Sequence, residues 1–240
     1  MTDITAVLTG HNEGELFPIS WRSMLAAADH AEANGLSVEF LVMLDRPDAV
    51  TEASVEEMRG RARVEILDHG DHGIVRNEAI KLANADHVAF LDGDDLWSEN
   101  WLTAAHATCQ TEPGNVIAHP ALNWFFEHQH NLYFLPDQTD PEFDAGAFLR
   151  VANAWDQLAM APTALHLEHP YPLRDLATGY AYVDWSWNLA TVAAGCVHRV
   201  AEDTIHFKRR RETSQLTLAQ AAWTLPWPTA VHRYAGEDPA

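Results

Sequence analysis

Positive charge is scarce in this chain. Only 15 Lys and Arg stand against 35 Asp and Glu, a formal net charge of −20, and only Lys81 and Lys208 among the cations are lysines. Gripping nucleic acid or an anionic membrane surface needs a field of basic side chains that displaces counterions from phosphates, so both roles are excluded as main functions. Cysteine is equally sparse. Cys109 and Cys196 lie far apart with no CxxC pair, which excludes a disulfide framework and a zinc ribbon and fits a reduced compartment. The opening MTDITAVLTGHNEG lacks a basic segment followed by an apolar one, so no signal peptide is expected. No run approaches the roughly 18 to 20 apolar residues of a membrane span. The expectation is a soluble, cytoplasmic protein. What is present is apolar mass. At 47% apolar, with nine Trp in 240 residues, the chain is too rich for a disordered acidic tail and long enough for one large domain.

The first half alternates β-rich and helical runs. Residues 4–9 (ITAVLT) read as a buried strand stopped by Gly10. Residues 16–33 have helical periodicity, with Leu16, Ile19, Met24, Leu25 and Ala28 near one stripe, ending at Asn34-Gly35. Residues 37–44 and 63–67 read as further strands, with Thr51 capping a short helix between them. A loop at 68–73 leads into a helix to about 84, and 86–91 (DHVAFL) is a fourth strand. Strands that are apolar on both faces and alternate with helices predict an α/β fold, a mainly parallel sheet flanked by helices. Past residue 112 the pattern loosens. Residues 120–145 suggest mixed antiparallel strands and loops, 183–195 a helix, 197–208 one or two short strands, and 214–223 a last helix before a loose tail.

The segment FLDGDDLW, residues 90–97, concentrates the chemistry. Strand four runs into Asp92, Gly93, Asp94 and Asp95, at the carboxyl end of a strand, where ligands of open parallel sheets bind. Three carboxylates within four residues repel one another unless a cation is present. Hard oxygen ligands suit Mg²⁺ or Mn²⁺, which can also hold a diphosphate. The structural alternative is an acidic turn capping a helix near Ser98. A haloacid-dehalogenase-type phosphatase places its nucleophilic Asp on the first strand, followed by Thr or Val; here the motif follows the fourth strand and Asp95 follows Asp94. A nucleotide-sugar transferase fits the placement better.

At this point the chain resembles the family 2 glycosyltransferases of the GT-A fold, over about residues 4–111 and again 178–216. Five features carry the resemblance in order: TGHNEG after the first strand, Asp45 in LDRPDAVT, GIVRNEAI at 73–80, FLDGDDLW, and VDWSWNLATVAAG followed by HFKRRRETS. The resemblance implies a GT-A-type sheet with a smaller mixed acceptor-side region. Residues 1–112 would be the nucleotide-sugar-binding half and 113–225 the acceptor-binding and catalytic half of the same domain, with 226–240 a tail. It implies that Thr9, His11, Glu13 and Asp45 line the base and ribose, that Arg76 faces the same pocket, and that Asp92 touches the ribose. Asp94 would coordinate the metal, with Asp92 and Asp95 in support or Asp95 as a sugar contact. Asp184, at a helix start, falls where the family's catalytic carboxylate falls, as the general base of an inverting transfer; the bland reading is a carboxylate favoured by the helix dipole. The sequence departs from the family pattern at Val183, at Gly10-His11 and at Asp45-Arg46-Pro47-Asp48.

Lys208, Arg209, Arg210 and Arg211 gather more than a quarter of the cations into one run. Strand alternation sends only every other one to a pocket, either Lys208 and Arg210 or Arg209 and Arg211; Lys208, Arg210 and Arg211 are the donor-diphosphate candidates, and a charged edge strand is the alternative. His206 is a candidate metal or diphosphate contact. Trp185 and Trp187 are candidates to stack on an acceptor sugar or to fill the core. DHGDHG at 68–73 reads as a loop near the nucleotide, and HQH at 128–130 as an exposed loop or edge without a metal. The expected activity is metal-dependent sugar transfer from a nucleoside-diphosphate sugar to a glycan or other hydroxyl acceptor with Mg²⁺ or Mn²⁺. The alternatives are a nucleotidyltransferase and a non-catalytic nucleotide-sugar- or glycan-binding module. No nucleic-acid partner is expected, and a homo-oligomer is compatible with the sequence.

Overall fold

The computed structural model describes residues 2–211 and 215–232. Strand β1 (Thr2–Gly10) leads through a short 3₁₀ turn into helix α1 (Phe17–Ala33), which stops where Gly35 takes a left-handed φ of +85°. Then follow β2 (Val38–Asp45), α2 (Ala49–Ser54), β3 (Arg63–Leu67), α3 (His72–Leu82) and β4 (Ala85–Asp92). The β1–β2, β2–β3 and β1–β4 pairs are all parallel. The second half adds β5 (Leu96–Trp97), α4 (Trp101–Cys109), β6 (Val116–Glu127), β7 (Asn131–Phe134), α5 (Ala145–Leu149), β8 (Met160–Pro162), α6 (Thr163–Glu168), α7 (Val183–Ala194), β9 (Val197–Arg210) and α8 (Gln215–Ala221). The sheet order is β3-β2-β1-β4-β8-β6-β9-β5, with β7 on β6, so one sheet runs through both halves of the chain.

Alternation along the buried strands divides the core in two. Ile4, Ala6, Leu8, Val42, Leu44 and Leu91 point to α1 and α4 and meet Trp21, Met24, Ala28 and Trp101. Val7, Leu41, Met43, Val88 and Phe90 point to the other side and meet Val75, Ile80, Leu165, Val183 and Trp187. Each such fully buried large side chain contributes about 1.5–3 kcal/mol. A sheet covered by helices on both faces is the α/β architecture that apolar-on-both-faces strands require. The buried stripe of α1 is Phe17, Trp21, Met24, Ala28 and Ala31, while Ile19 turns outward.

Several local expectations are corrected. Asp48, not Thr51, caps α2: its carboxylate accepts the Thr51 N–H at 2.8 Å, while the buried Thr51 hydroxyl accepts the Gly14 N–H at 2.8 Å. The helix expected near Ser98 is α4, which begins at Trp101, and the acidic turn does not cap it: its N-cap is Asn100, while the Ser98 hydroxyl accepts the Ile205 N–H at 3.0 Å and the β5–β9 pairing holds the preceding residues extended. Residues 197–210 form one 14-residue strand rather than one or two short ones. It is sustained by parallel pairing with β6 from Val116↔Val197 to Glu127↔Arg210, across an irregularity between Pro120 and Leu122. The expected antiparallel pairing is present between β6 and β7. Residues 212–214, at the end of the basic segment, and 233–240 of the tail lie outside the described residues.

One close approach fixes the loops at the carboxyl ends of β1 and β4. The buried Phe17 ring sits against both Gly10 and Gly93. A Cβ at Gly93 would run into that ring and come within 2.9 Å of the Thr9 carbonyl; one at Gly10 would run into it and approach Leu44 Cδ2 at 2.9 Å. Gly93→Ala should therefore cost about 1–3 kcal/mol of stability by overpacking, read as a lower denaturant midpoint at unchanged slope. Because its neighbours are side chains, Gly10→Ala should be partly rescued by Phe17→Leu, and a Gly93→Ala variant of full stability would contradict this packing.

Candidate active site

A cavity of about 1060 Å³ opens at the carboxyl ends of β1, β2 and β4 and extends to the amino end of α7 and the outer end of β9. Thr9, His11, Glu13, Asp45, Arg76, Asp92, Asp94, Asp95, Asp184, Lys208, Arg210 and Arg211 all line it. His206 does not. Its side chain is fully buried beneath the site, 4.4 Å between ring centroids from Trp101 and 6.3 Å from Trp97, and burial lowers its pKa to about 3. The metal or diphosphate role expected of His206 is corrected accordingly: the two tryptophans enclose a neutral imidazole in the core.

The three carboxylates of the β4 turn have three different surroundings. Asp92 accepts from Arg76 Nη2 at 2.5 Å and from the Thr9 hydroxyl at 2.9 Å. Arg76 is 1% exposed and lies 5.3 Å from the Phe90 ring centroid, so a buried cation meets a partly buried anion. Burial opposes ionisation of Asp92, but Arg76, Lys208 and the Thr9 hydroxyl outweigh it and hold the pKa low. Asp95 turns inward, accepts the Arg209 backbone N–H at 2.7 Å, and sits 3.2 Å from Lys208 Nζ. Lys208 also lies 3.3 Å from Asp156. Of the two carboxylates on this ammonium, Asp156 is held ionised. Asp95 is pushed up to about 7 by burial, against Lys208 and with Asp94 and Asp92 adding. Asp94 faces the cavity and pairs with Arg211 at 2.7 Å. Burial raises its pKa, Arg211 opposes, and Asp92 and Glu13 add to the rise.

The first loop and β2 close the other wall. His11 Nδ1 contacts the Asp45 carbonyl at 2.5 Å, and Glu13 is 3.5 Å from Arg211. The Asp45 carboxylate accepts the His69 and Gly70 N–H groups at 2.7 and 2.8 Å, so it holds the DHGDHG loop against the cavity. Asp71 caps α3 by accepting the Gly73 and Ile74 N–H groups, and accepts the Arg174 N–H at 2.8 Å.

Across the cavity, Asp184 occupies the first turn of α7, after Tyr182, whose φ of +59° is costly for a bulky residue. Its carboxylate accepts the Trp185 N–H at 2.9 Å and Asn153 Nδ2 at 3.0 Å. Burial raises its pKa to about 6 against the Trp185 N–H, with Asp156 adding to the rise. Trp187 is core, 1% exposed and stacked on Tyr171 and His166. Trp185 lines the cavity and donates its indole N–H to the Leu149 carbonyl at 2.7 Å.

Asn153, Asp156, Gln157 and Arg174 also line the cavity, and sequence reasoning did not single them out. The polar cluster in NAWDQL around Trp155 was the available signal for the first three; Arg174 had none. The basic run divides by strand alternation. Lys208 and Arg210 share a face, Arg210 lying 4.0 Å from the Phe125 ring centroid. Arg209 lies 4.6 Å from the Phe126 ring centroid and pairs with Glu127, and Arg211, past the strand end, turns back to Asp94.

Among the described residues no three His, Cys, Asp or Glu side chains converge as a ready-made metal cage. Asp92 and Asp95 are engaged by Arg76 and Lys208. Asp94, its pKa raised by burial with neighbouring carboxylates adding, and answered by one partly exposed arginine, fits a cation that takes its remaining ligands from phosphate oxygens and water, the usual mode of Mg²⁺.

The chain resembles solved structures in fold. S. aureus TarS 1–349 in complex with UDP-GlcNAc aligns with a TM-score of 0.66 at 17% identity, over 90% of this chain and 61% of that one. TarS 1–349 in complex with UDP aligns at 0.65 and 15%, over 92% and 64%. A further S. aureus TarS structure aligns at 0.65 and 16%, over 91% and 38%. The chain thus spans less than two thirds of the length of these neighbours. No curated protein matches it. Among the described residues no helix is long and apolar enough to cross a membrane. The family model for glycosyl transferase family 2 matches residues 5–138, more than half of the chain and the part that builds β1 to β7 and the Asp92–Asp95 turn, and this protein belongs to that family.

Proposed function

We propose that this protein transfers a sugar from a nucleoside-diphosphate sugar to a hydroxyl acceptor with inversion, Asp184 acting as general base. The observation that carries the reading is that one cavity holds both the Asp92–Asp95 turn on the donor side and a half-buried carboxylate, Asp184, on the other. A uridine-diphosphate sugar is the first donor to test, because the structural neighbours TarS were solved with UDP and UDP-GlcNAc.

On this reading Asp92, Thr9 and Arg76 meet the ribose and base, with the loop at His11–Glu13. Asp94 holds Mg²⁺ or Mn²⁺, with Asp92 and Asp95 behind it. The bound cation would neutralise charge developing on the leaving diphosphate. Arg210 and Arg174 assist, and charge accounting selects them. Arg76, Lys208, Arg209 and Arg211 are each matched by a carboxylate of the chain. Among the described residues Arg210 and Arg174 line the cavity without one. Asp184 then takes the acceptor hydroxyl proton as that oxygen attacks the anomeric carbon, while Trp185 and Tyr182 wall the acceptor side.

Asp94→Ala should abolish metal-dependent binding of a uridine-diphosphate sugar in calorimetry. Arg210→Ala should raise donor KM about tenfold, the scale of one charge-assisted contact. Asp184→Asn should remove transfer while leaving donor affinity intact; full turnover would refute the base assignment, and donor binding without turnover in the natural chain would identify a binding module. The rate should rise with pH along a limb centred near 6, since a base works only when ionised, and level off above it.

A further inference from the structure

We propose that Asn153 is a positioning residue for Asp184, with Asn188 locking the Asn153 amide in the orientation that donates to the base. The inference rests on the reading of Asp184 above. Asn153 Nδ2 lies 3.0 Å from Asp184 Oδ2, and Asn188 Nδ2 lies 2.9 Å from Asn153 Oδ1 and 2.6 Å from the Trp155 carbonyl.

The orientation follows from donor and acceptor counting. A backbone carbonyl only accepts, so the end of Asn188 facing Trp155 must be its NH₂. That NH₂ is also what faces Asn153, which must therefore present its oxygen. The NH₂ of Asn153 is left to point at Asp184. Asn188 is 1% exposed and stands one helical turn after Asp184 on α7, on the same face. A rigid helix therefore sets both the base and the group that orients its partner.

The chemical consequence is twofold. Each oxygen of Asp184 receives one N–H, from Trp185 and from Asn153, so the carboxylate plane cannot turn about its stem. Both donors also favour the ionised form. The remaining groups facing Asp184 are Asp156 from the loop before β8, Lys208 from β9 and Arg76 from α3, with Tyr171 nearby. The two cations favour ionisation and Asp156 opposes it. Asn153 is the neutral side-chain donor in direct contact, and it can be replaced without altering that charge set.

The test follows transfer against pH, together with a carbon NMR titration of the Asp184 carboxyl, assigned with Asp184→Asn. Asn153→Ala should move the acid limb and the carboxyl titration upward by about one pH unit, so that transfer below the limb falls about tenfold. Donor KM should stay unchanged. Asn153→Asp, which keeps the shape but replaces the donor by a like charge, should move both further. Asn188→Ala should move them in the same direction by less. A role confined to packing would lower the rate equally at all pH, with the carboxyl titration unmoved, and that result overturns the proposal, as does an unmoved titration in Asn153→Asp. A shifted titration with an unmoved rate limb upholds the contact and instead strikes down Asp184 as the base, so the two failures are distinguishable.

Discussion

The site hangs on one buried ammonium. Lys208, one of two lysines in the chain, stands between Asp95 from the β4 turn and Asp156 from the loop before β8, at 3.2 and 3.3 Å. Its pKa is raised because those carboxylates outweigh the burial that opposes its charge. Breaking a buried pair from one side leaves an uncompensated charge, at a cost of about 3–5 kcal/mol. Removing Lys208 would leave the ionised Asp156 without its cation beside an Asp95 that burial already drives towards its neutral form. The bridge also sets geometry: Asp95 accepts the backbone N–H of Arg209, so the turn after β4 is pinned to β9 by side chain and main chain together. Everything that β9 delivers beyond that point, Arg210 on Phe125 and Arg211 on Asp94, depends on this register.

That arrangement explains how so acidic a chain can present cations to a ligand. Most of its arginines near the site are spent on its own carboxylates, which is what an excess of 35 acids over 15 bases compels. A paired arginine offers an incoming anion little, because the anion must first displace an intramolecular partner already at contact distance. On the proposed function, the positive charge free to meet a ligand is the remainder among the described residues: Arg210, flattened on an aromatic ring, and Arg174 on the opposite wall, in a loop tied to the cap of α3 through Asp71.

How much of this was legible in the sequence depends on the range of the interaction. The first four strands and the helices between them were readable because their apolar runs are local and buried on both faces, and FLDGDDLW was readable because a strand end and the carboxylates that follow it are contiguous. The length of β9 was not. It is sustained by pairing with β6, some 80 residues earlier, and nothing in 197–210 itself announces a parallel partner. The same limit misplaced His206, which alternates with Lys208 and so shares its face, but lies deeper, where Trp97 and Trp101 close over it. Asp156 and Asn153 matter only through what the fold brings to them. Thr51 lost the cap of α2 to Asp48 because its hydroxyl has a distant partner in Gly14.

The same reasoning bears on why the β4 turn carries three carboxylates instead of one. Asp92 and Asp95 are each engaged by a cation, so both carboxyls belong to the framework: one ties β4 to β1 and α3, the other ties it to β9. Asp94, which lines the cavity with them, has no such buried cation: burial and the neighbouring acids hold its pKa up, and one partly exposed arginine is within reach. A carboxylate so placed gains most from a partner that carries more than one positive charge. It would be poorly served by a bare anionic ligand, which would add repulsion to a crowded turn. On the proposed function, a diphosphate arriving with its own divalent ion reverses that sign. The ion would relieve Asp94, and the phosphates would meet Arg210 and Arg174, which among the described residues line the cavity without a carboxylate partner.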